Sequence, residues 1–182
     1  MAKTESIQKL KTGYKVPEFN LKGIDGKEYT LNDFKSKALL IVFICNHCPY
    51  VKARIKDIIK IQSKFSENEL CVVGINSNDP NYTDEGFENM KKFSKHYDMN
   101  FPYLIDEKQN IALSFGAVCT PDPFLFNQDR RLVFHGKIND ATNPEMIPKI
   151  NIMEDNIKKI LNDEKIEKDF DPSIGCSIKW VE

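Results

Sequence analysis

An unbroken apolar run, Ala38 to Ile44, ends in Cys45-Asn46-His47-Cys48-Pro49. No other feature narrows the possible folds as much. A strand-length run that is apolar at every position has no polar face to turn outward. It belongs inside a sheet covered on both sides. After the motif, Val51, Ile55, Ile58 and Phe65 fall near helical spacing, with Lys52, Lys56, Lys60 and Lys64 between them. Pro49 is tolerated in a first helical turn, where its missing N–H costs nothing. The two thiols are therefore predicted at a strand-to-helix junction. Two thiols two residues apart at such a place can close a disulfide and release it. The helix N-terminus is expected to face Cys45 and to favour its thiolate.

The 182 residues suggest one domain with room for a full core. A formal net charge of −1 gives no bulk electrostatic case for nucleic acid or an anionic membrane. The longest apolar stretch, Ala38 to Cys45, is far short of a membrane span. The first residues, Met1-Ala2-Lys3-Thr4-Glu5-Ser6, lead into polar sequence without a signal-like apolar region. The expected location is the cytoplasm, where thiols are held reduced. Five cysteines there point to reactivity or metal binding more than to a disulfide framework.

Residues 1–15 are expected to be loosely ordered, 16–163 to form the domain, and 164–182 to be a tail that packs on it. Phe19, Leu21, Asp25-Gly26, Tyr29 and Leu31 read as a short hairpin. Leu70 to Ile75 is a second buried strand. Asp84 to Tyr97 reads as a helix, and Phe101 to Ile105 as a short strand. Asp106 is placed to cap a helix that ends at Gly116. Pro123 to Phe126 and Arg131 to Ile138 flank a turn, and Met153, Ile157, Ile160 and Leu161 mark a last amphipathic helix. The order is hairpin, βα, βα, βα, ββ, α, which predicts a mixed central β-sheet with helices on both faces.

Two further stretches complete the pattern: Gly116-Ala117-Val118-Cys119-Thr120-Pro121-Asp122 and Pro172-Ser173-Ile174-Gly175-Cys176-Ser177-Ile178-Lys179-Trp180. A Cys-x-x-Cys after the first core strand, with a Thr-Pro just before a hairpin, resembles the thioredoxin fold. The chain is similar to the redoxin group labelled alkyl hydroperoxide reductase/thiol-specific antioxidant (AhpC/TSA). The resemblance covers roughly residues 16–163. It implies an α/β thioredoxin fold with an N-terminal hairpin and an inserted helix, and a thiol–disulfide oxidoreductase. In that pattern Cys45 is the exposed nucleophile and Cys48 the more buried resolving thiol. Pro121 matches the family's cis-proline, which presents the backbone of Thr120 to an extended substrate and keeps metal off the thiols. Asn46, Thr120 and Pro121 are the implied substrate-binding residues.

His47, between the thiols, is placed to stabilise the Cys45 thiolate by charge or hydrogen bond, or else is a solvated loop residue. Cys119 is expected at the rim of the active-site surface, as a further redox thiol or a plain surface thiol. Cys176 is a resolving thiol or a structural one. Cys71 reads as packing, and His96 and His135 as surface residues. The expected substrates are protein or low-molecular-weight disulfides or peroxides, with a thiol reductant, no metal, and no cofactor beyond the redox-active disulfide.

Two alternatives stand beside this reading. One is a thiol peroxidase with Cys45 as peroxidatic cysteine. The other is a zinc-binding or interaction module without turnover, using Cys45, Cys48, Cys119 and Cys176 as sulfur ligands. The chain also departs from the family. The strand before the cysteines has no buried acid, Ile44 replaces the usual aromatic residue, and Val42 stands where a peroxiredoxin has its threonine.

Overall fold

The computed structural model describes residues 3–181. In chain order it contains β1 (Lys3–Glu5), β2 (Asn20–Gly23), β3 (Glu28–Thr30), β4 (Ala38–Phe43), α1 (Pro49–Lys64), β5 (Leu70–Asn76), α2 (Phe87–Tyr97), β6 (Tyr103–Ile105), α3 (Asn110–Phe115), β7 (Cys119–Thr120), β8 (Asp122–Phe126), β9 (Leu132–Gly136), α4 (Ile152–Leu161), β10 (Phe170–Asp171) and β11 (Ile174–Ser177). The main sheet has eight strands in the order β10-β9-β8-β4-β5-β6-β2-β3. β4, β5 and β6 run parallel, and β8 and β2 lie antiparallel to their neighbours β4 and β6. The sheet is mixed and the architecture is a thioredoxin fold.

β4 sits near the middle of this sheet and is fully buried along its length. Its alternate residues feed two cores, because successive side chains point to opposite faces. Leu40, Val42 and Ile44 join Val51, Ile55 and Ile58 of α1, Met90 of α2 and Ile157 of α4. Leu39, Ile41 and Phe43 join Phe115 of α3 with Phe124 and Phe126 of β8. Phe115 meets Phe43 and Phe124 edge to face, each at 5.2 Å between ring centres. Full burial of one such side chain is worth roughly 1.5–3 kcal/mol. The two cores hold the end of β4, where the thiols sit, from both sides.

Three local outcomes shape the site. The helix after the motif begins at Pro49, with Cys48 as its N-cap residue. The second helix begins at Phe87 and not near Asp84, as its sequence predicts. Asp84 (φ 65°) and Gly86 (φ 84°) both take positive φ, which breaks helical geometry and turns Glu85 inward. Asp106 does serve the third helix, accepting from the N–H groups of Ile111 and Ala112 at 3.1 and 3.0 Å.

The N-terminal end of the chain differs from expectation. Residues 3–5 are not loose: β1 pairs antiparallel with β11, Lys3 opposite Cys176. Gly13, Tyr14 and Val16 are tied to β9 and its turn through backbone bonds to Leu132 and Arg130. Residues 1 and 2 of the expected loose segment lie outside the described residues. The tail forms two strands. β10 extends the main sheet beside β9, and β11 joins β1 and β7 in a second, three-stranded sheet.

Candidate active site

Cys45 lies two residues past the end of β4 and Cys48 is the N-cap of α1, so their spacing follows from the chain's own turn between the two elements. Both are free thiols and both are fully buried, so the exposed position expected for Cys45 is corrected. Thr120 faces both. Its Oγ1 lies 3.1 Å from Cys45 Sγ, and its carbonyl accepts from Cys48 Sγ at 3.3 Å. The Thr120–Pro121 peptide bond is cis.

The helix terminus serves the other thiol from the one expected. Cys48 is the N-cap residue of α1 and sits at its N-terminus. Cys45 lies four residues before the first residue of α1. Burial, the Cys48 sulfur and the Glu85 carboxylate push the Cys45 thiol well above its ordinary range. Hydrogen bonding from Cys45, and then from Cys176, holds Cys48 below that range against its own burial. The surroundings thus favour ionisation of Cys48 over that of Cys45, the reverse of the expected order.

Glu85 supplies the acid that the central strand lacks. Its Oε1 accepts from the N–H groups of Asn46 (3.0 Å) and His47 (3.1 Å) and from His47 Nδ1 (2.5 Å). Its Oε2 accepts from Asn76 Nδ2 at 2.7 Å. Tyr103 donates to Asn46 Oδ1 (2.9 Å), and Asn46 Nδ2 donates to the Asp84 carbonyl (3.0 Å), closing the network. Backbone–side-chain bonds therefore fix Asn46 and His47 in place. Tyr82 lies over the His47 ring, 4.8 Å between centres. A groove of about 480 Å³ opens beside Asn46, lined also by Lys52, Asp84, Asn89 and Lys92.

Cys45, His47 and Glu85 bring their ligand atoms within 4.8 Å of one another, close enough to share a cation. The four-sulfur zinc arrangement is not what the structure brings together. Cys119 instead lies 4.0 Å from Ser173 Oγ, fully buried and not on the rim. Burial pushes its thiol far up, and the neighbouring Asp122 adds to this. Cys176 Sγ is 2.8 Å from Cys48 Sγ. Cys71 is half-buried against the second core, and His96 is exposed.

His135 is fully buried and not at the surface. Its Nε2 lies 2.8 Å from Asp122 Oδ1, which also accepts from Ser173 Oγ at 2.8 Å. Burial raises the Asp122 carboxyl, opposed by its bond to His135. This network directly follows Pro121.

Sequence reasoning missed Glu85 and Asp122. Glu85 looked like the first turn of a helix. For Asp122, only its unusual place between Pro121 and Pro123 marked it.

The AhpC/TSA family model matches residues 12–135. A thiol-disulfide oxidoreductase ResA from Bacillus thuringiensis subsp. konkukian is 24% identical over 126 residues, 69% of each chain. The crystal structure of an uncharacterized conserved protein from Geobacillus kaustophilus is 36% identical, with a TM-score of 0.93 over 100% of this chain and 97% of that one. The thioredoxin domain of a thiol-disulfide oxidoreductase from Bacteroides vulgatus shares the fold, with a TM-score of 0.67 at 17% identity over 84% of this chain and 99% of that one.

Proposed function

We propose that this chain, which belongs to the AhpC/TSA family, is a thiol–disulfide oxidoreductase that works through Cys45 and Cys48. The observation that carries the reading is the convergence of both thiols on Thr120 at the strand-to-helix junction. The named ResA relative supports the same activity.

The cycle uses only the chain's own groups. Cys45 attacks one sulfur of an incoming disulfide, and its proton passes to the Cys48 sulfur it faces. The second substrate sulfur leaves as a thiolate. Cys48 then attacks Cys45 Sγ, and its proton passes to the departing thiolate. The products are the Cys45–Cys48 disulfide, one thiol and one thiolate. In the return step an external thiol attacks Cys45. Cys48 is the better leaving group because its thiolate is the stabilised one. No bound group beyond the thiols takes part. The substrates are protein disulfides, and a thiol reductant closes the cycle.

The closed thiols set a condition on access. Cys45 is fully buried, so a substrate reaches it only after the surrounding residues move aside. The test is insulin reduction by wild type, Cys45→Ser and Cys48→Ser, with hydrogen peroxide consumption measured alongside. The expected result is activity in wild type only, with a trapped mixed disulfide on Cys45 in Cys48→Ser. Full insulin reduction by Cys45→Ser, or peroxide turnover well above disulfide turnover, would overturn the reading.

A further inference from the structure

Cys48 has two sulfur neighbours, and the exchange cycle uses only one. The second, Cys176, comes from the tail and lies beyond the family match at residues 12–135. It is not a stray thiol. β11 pairs antiparallel with β7, placing Cys176 opposite Thr120 and Ser177 opposite Cys119. β1 covers its other edge, with Lys3 opposite Cys176. Asn78 Oδ1 accepts from the Lys179 N–H at 2.9 Å, and the Ile178 N–H bonds the Val118 carbonyl at 3.0 Å. Gly175 permits this docking: a Cβ there would stand 1.9 Å from the Thr120 carbonyl oxygen. Thr120 is thus the meeting point of three thiols. Its hydroxyl faces Cys45, its carbonyl faces Cys48, and its backbone pairs with Cys176.

We propose that Cys176 is a third redox thiol that exchanges with the Cys45–Cys48 disulfide to form an internal Cys48–Cys176 disulfide. The proposal rests on the exchange reading above, which supplies the oxidised pair. Cys176 Sγ attacks Cys48 Sγ. The Cys48–Cys176 bond forms and the Cys45–Cys48 bond breaks. Cys45 leaves as a thiolate and takes up the proton that Cys176 gives up. The step is an isomerisation, with no net oxidation. Burial raises the Cys176 thiol to about 12, so the step is slow unless that proton is handed directly to the departing sulfur. In the isomer Cys48 is tied to the tail and can no longer resolve an adduct on Cys45. The oxidising equivalent is parked inside the protein, and the exchange cycle is held off until the tail disulfide reopens.

The test oxidises the full chain with glutathione disulfide, alkylates the remaining thiols, digests with trypsin without reduction and maps the disulfides by mass spectrometry. Cys45 and Cys48 share the tryptic peptide 38–52, and Cys176 lies in 169–179. The expected result is a 38–52/169–179 linked pair in wild type, with fragmentation placing the bond on Cys48. The same pair forms in Cys45→Ser and is lost in Cys176→Ser. Gly175→Ala keeps all three thiols while undocking the strand, and it lowers the linked fraction severalfold. Wild type oxidised only within 38–52, together with free Cys48 and Cys176 in Cys45→Ser, would overturn the proposal. Insulin reduction by wild type scores the exchange reading separately. A failed assay there with the linked pair present sinks the exchange reading alone.

Discussion

At the residue scale, the site is governed by which neighbour each sulfur has. The two thiols differ only in surroundings, yet one is held protonated and the other is poised to ionise. Cys45 faces a carboxylate inside the protein, whereas Cys48 faces a helix terminus and two S–H groups. Glu85 is the residue most able to change this balance. Replacing it by Gln keeps an acceptor for the Asn46 and His47 N–H groups and removes the negative charge. Cys45 should then ionise more readily, and its alkylation by iodoacetamide at neutral pH should speed up roughly threefold to tenfold. Peptide mapping of the alkylated protein gives the rate for each thiol. An unchanged rate at Cys45 would mean that the carboxylate does not act on it. The same substitution sets an amide N–H₂ against Asn76 Nδ2, and one buried donor left unpaired costs about 1–3 kcal/mol. A modest fall in Tm is therefore expected with the faster alkylation.

At the element scale, the site is an intersection of four pieces: the end of β4, the start of α1, the β7–β8 junction and β11. Each is held by something other than the site. β4 is held by two cores, and α1 by its apolar stripe. Arg54 of α1 also bonds the carbonyls of Asn143, Pro144 and Met146, which ties down the segment before α4. β11 depends on close backbone approach, and Gly175 is its weak point. Gly175→Ala puts a methyl group into the Thr120 carbonyl, so the strand must shift or detach. Overpacking of this kind costs about 1–3 kcal/mol. Amide hydrogen exchange should show lost protection at residues 174–178 and also at residues 3–5, which pair with them. Central strands β4 and β5 should keep theirs. Protection that survives at 174–178 would show that the strand accommodates a side chain.

At the scale of the whole molecule, the buried thiols set an alkaline limit to stability. Cys45, Cys119 and Cys176 are held protonated beyond their usual value of about 9.0. The unfolded chain ionises them near that value. Above it the unfolded state binds fewer protons than the folded state, so stability is full below about pH 9 and falls as pH rises. Cys48 acts in the opposite sense. Its folded value is depressed, so its contribution is present above about pH 9 and is lost as pH falls. Tm should therefore rise with pH toward about 9 and then drop. In Cys119→Ala the alkaline drop should be shallower, whatever the absolute Tm, because one protonated buried thiol has been removed. Thermal melts of both proteins across this range give the two slopes. Equal slopes would show that Cys119 does not contribute to the limit.

The sequence by itself determined the elements whose signal is local. β4 and β5 were legible because they are apolar at every position, and α1 because its apolar residues recur at helical spacing. Cys45, Cys48 and Thr120 could be named because the motif and the Thr-Pro stand at the ends of those elements. What tertiary structure alone decided is everything that arises between distant residues. Glu85 reaches the motif across 38 or more positions, because Asp84 and Gly86 turn the chain there. His135 reads as a surface residue until β9 lays it against Asp122. Ile174, Cys176 and Ile178 alternate with other residues as in a strand, but the partners β1, β7 and β9 that make the tail part of two sheets are set only by the fold. The ionisation of each thiol likewise depends on its burial and on the charges folded against it. Those are properties of the assembled interior, and no window of the sequence contains them.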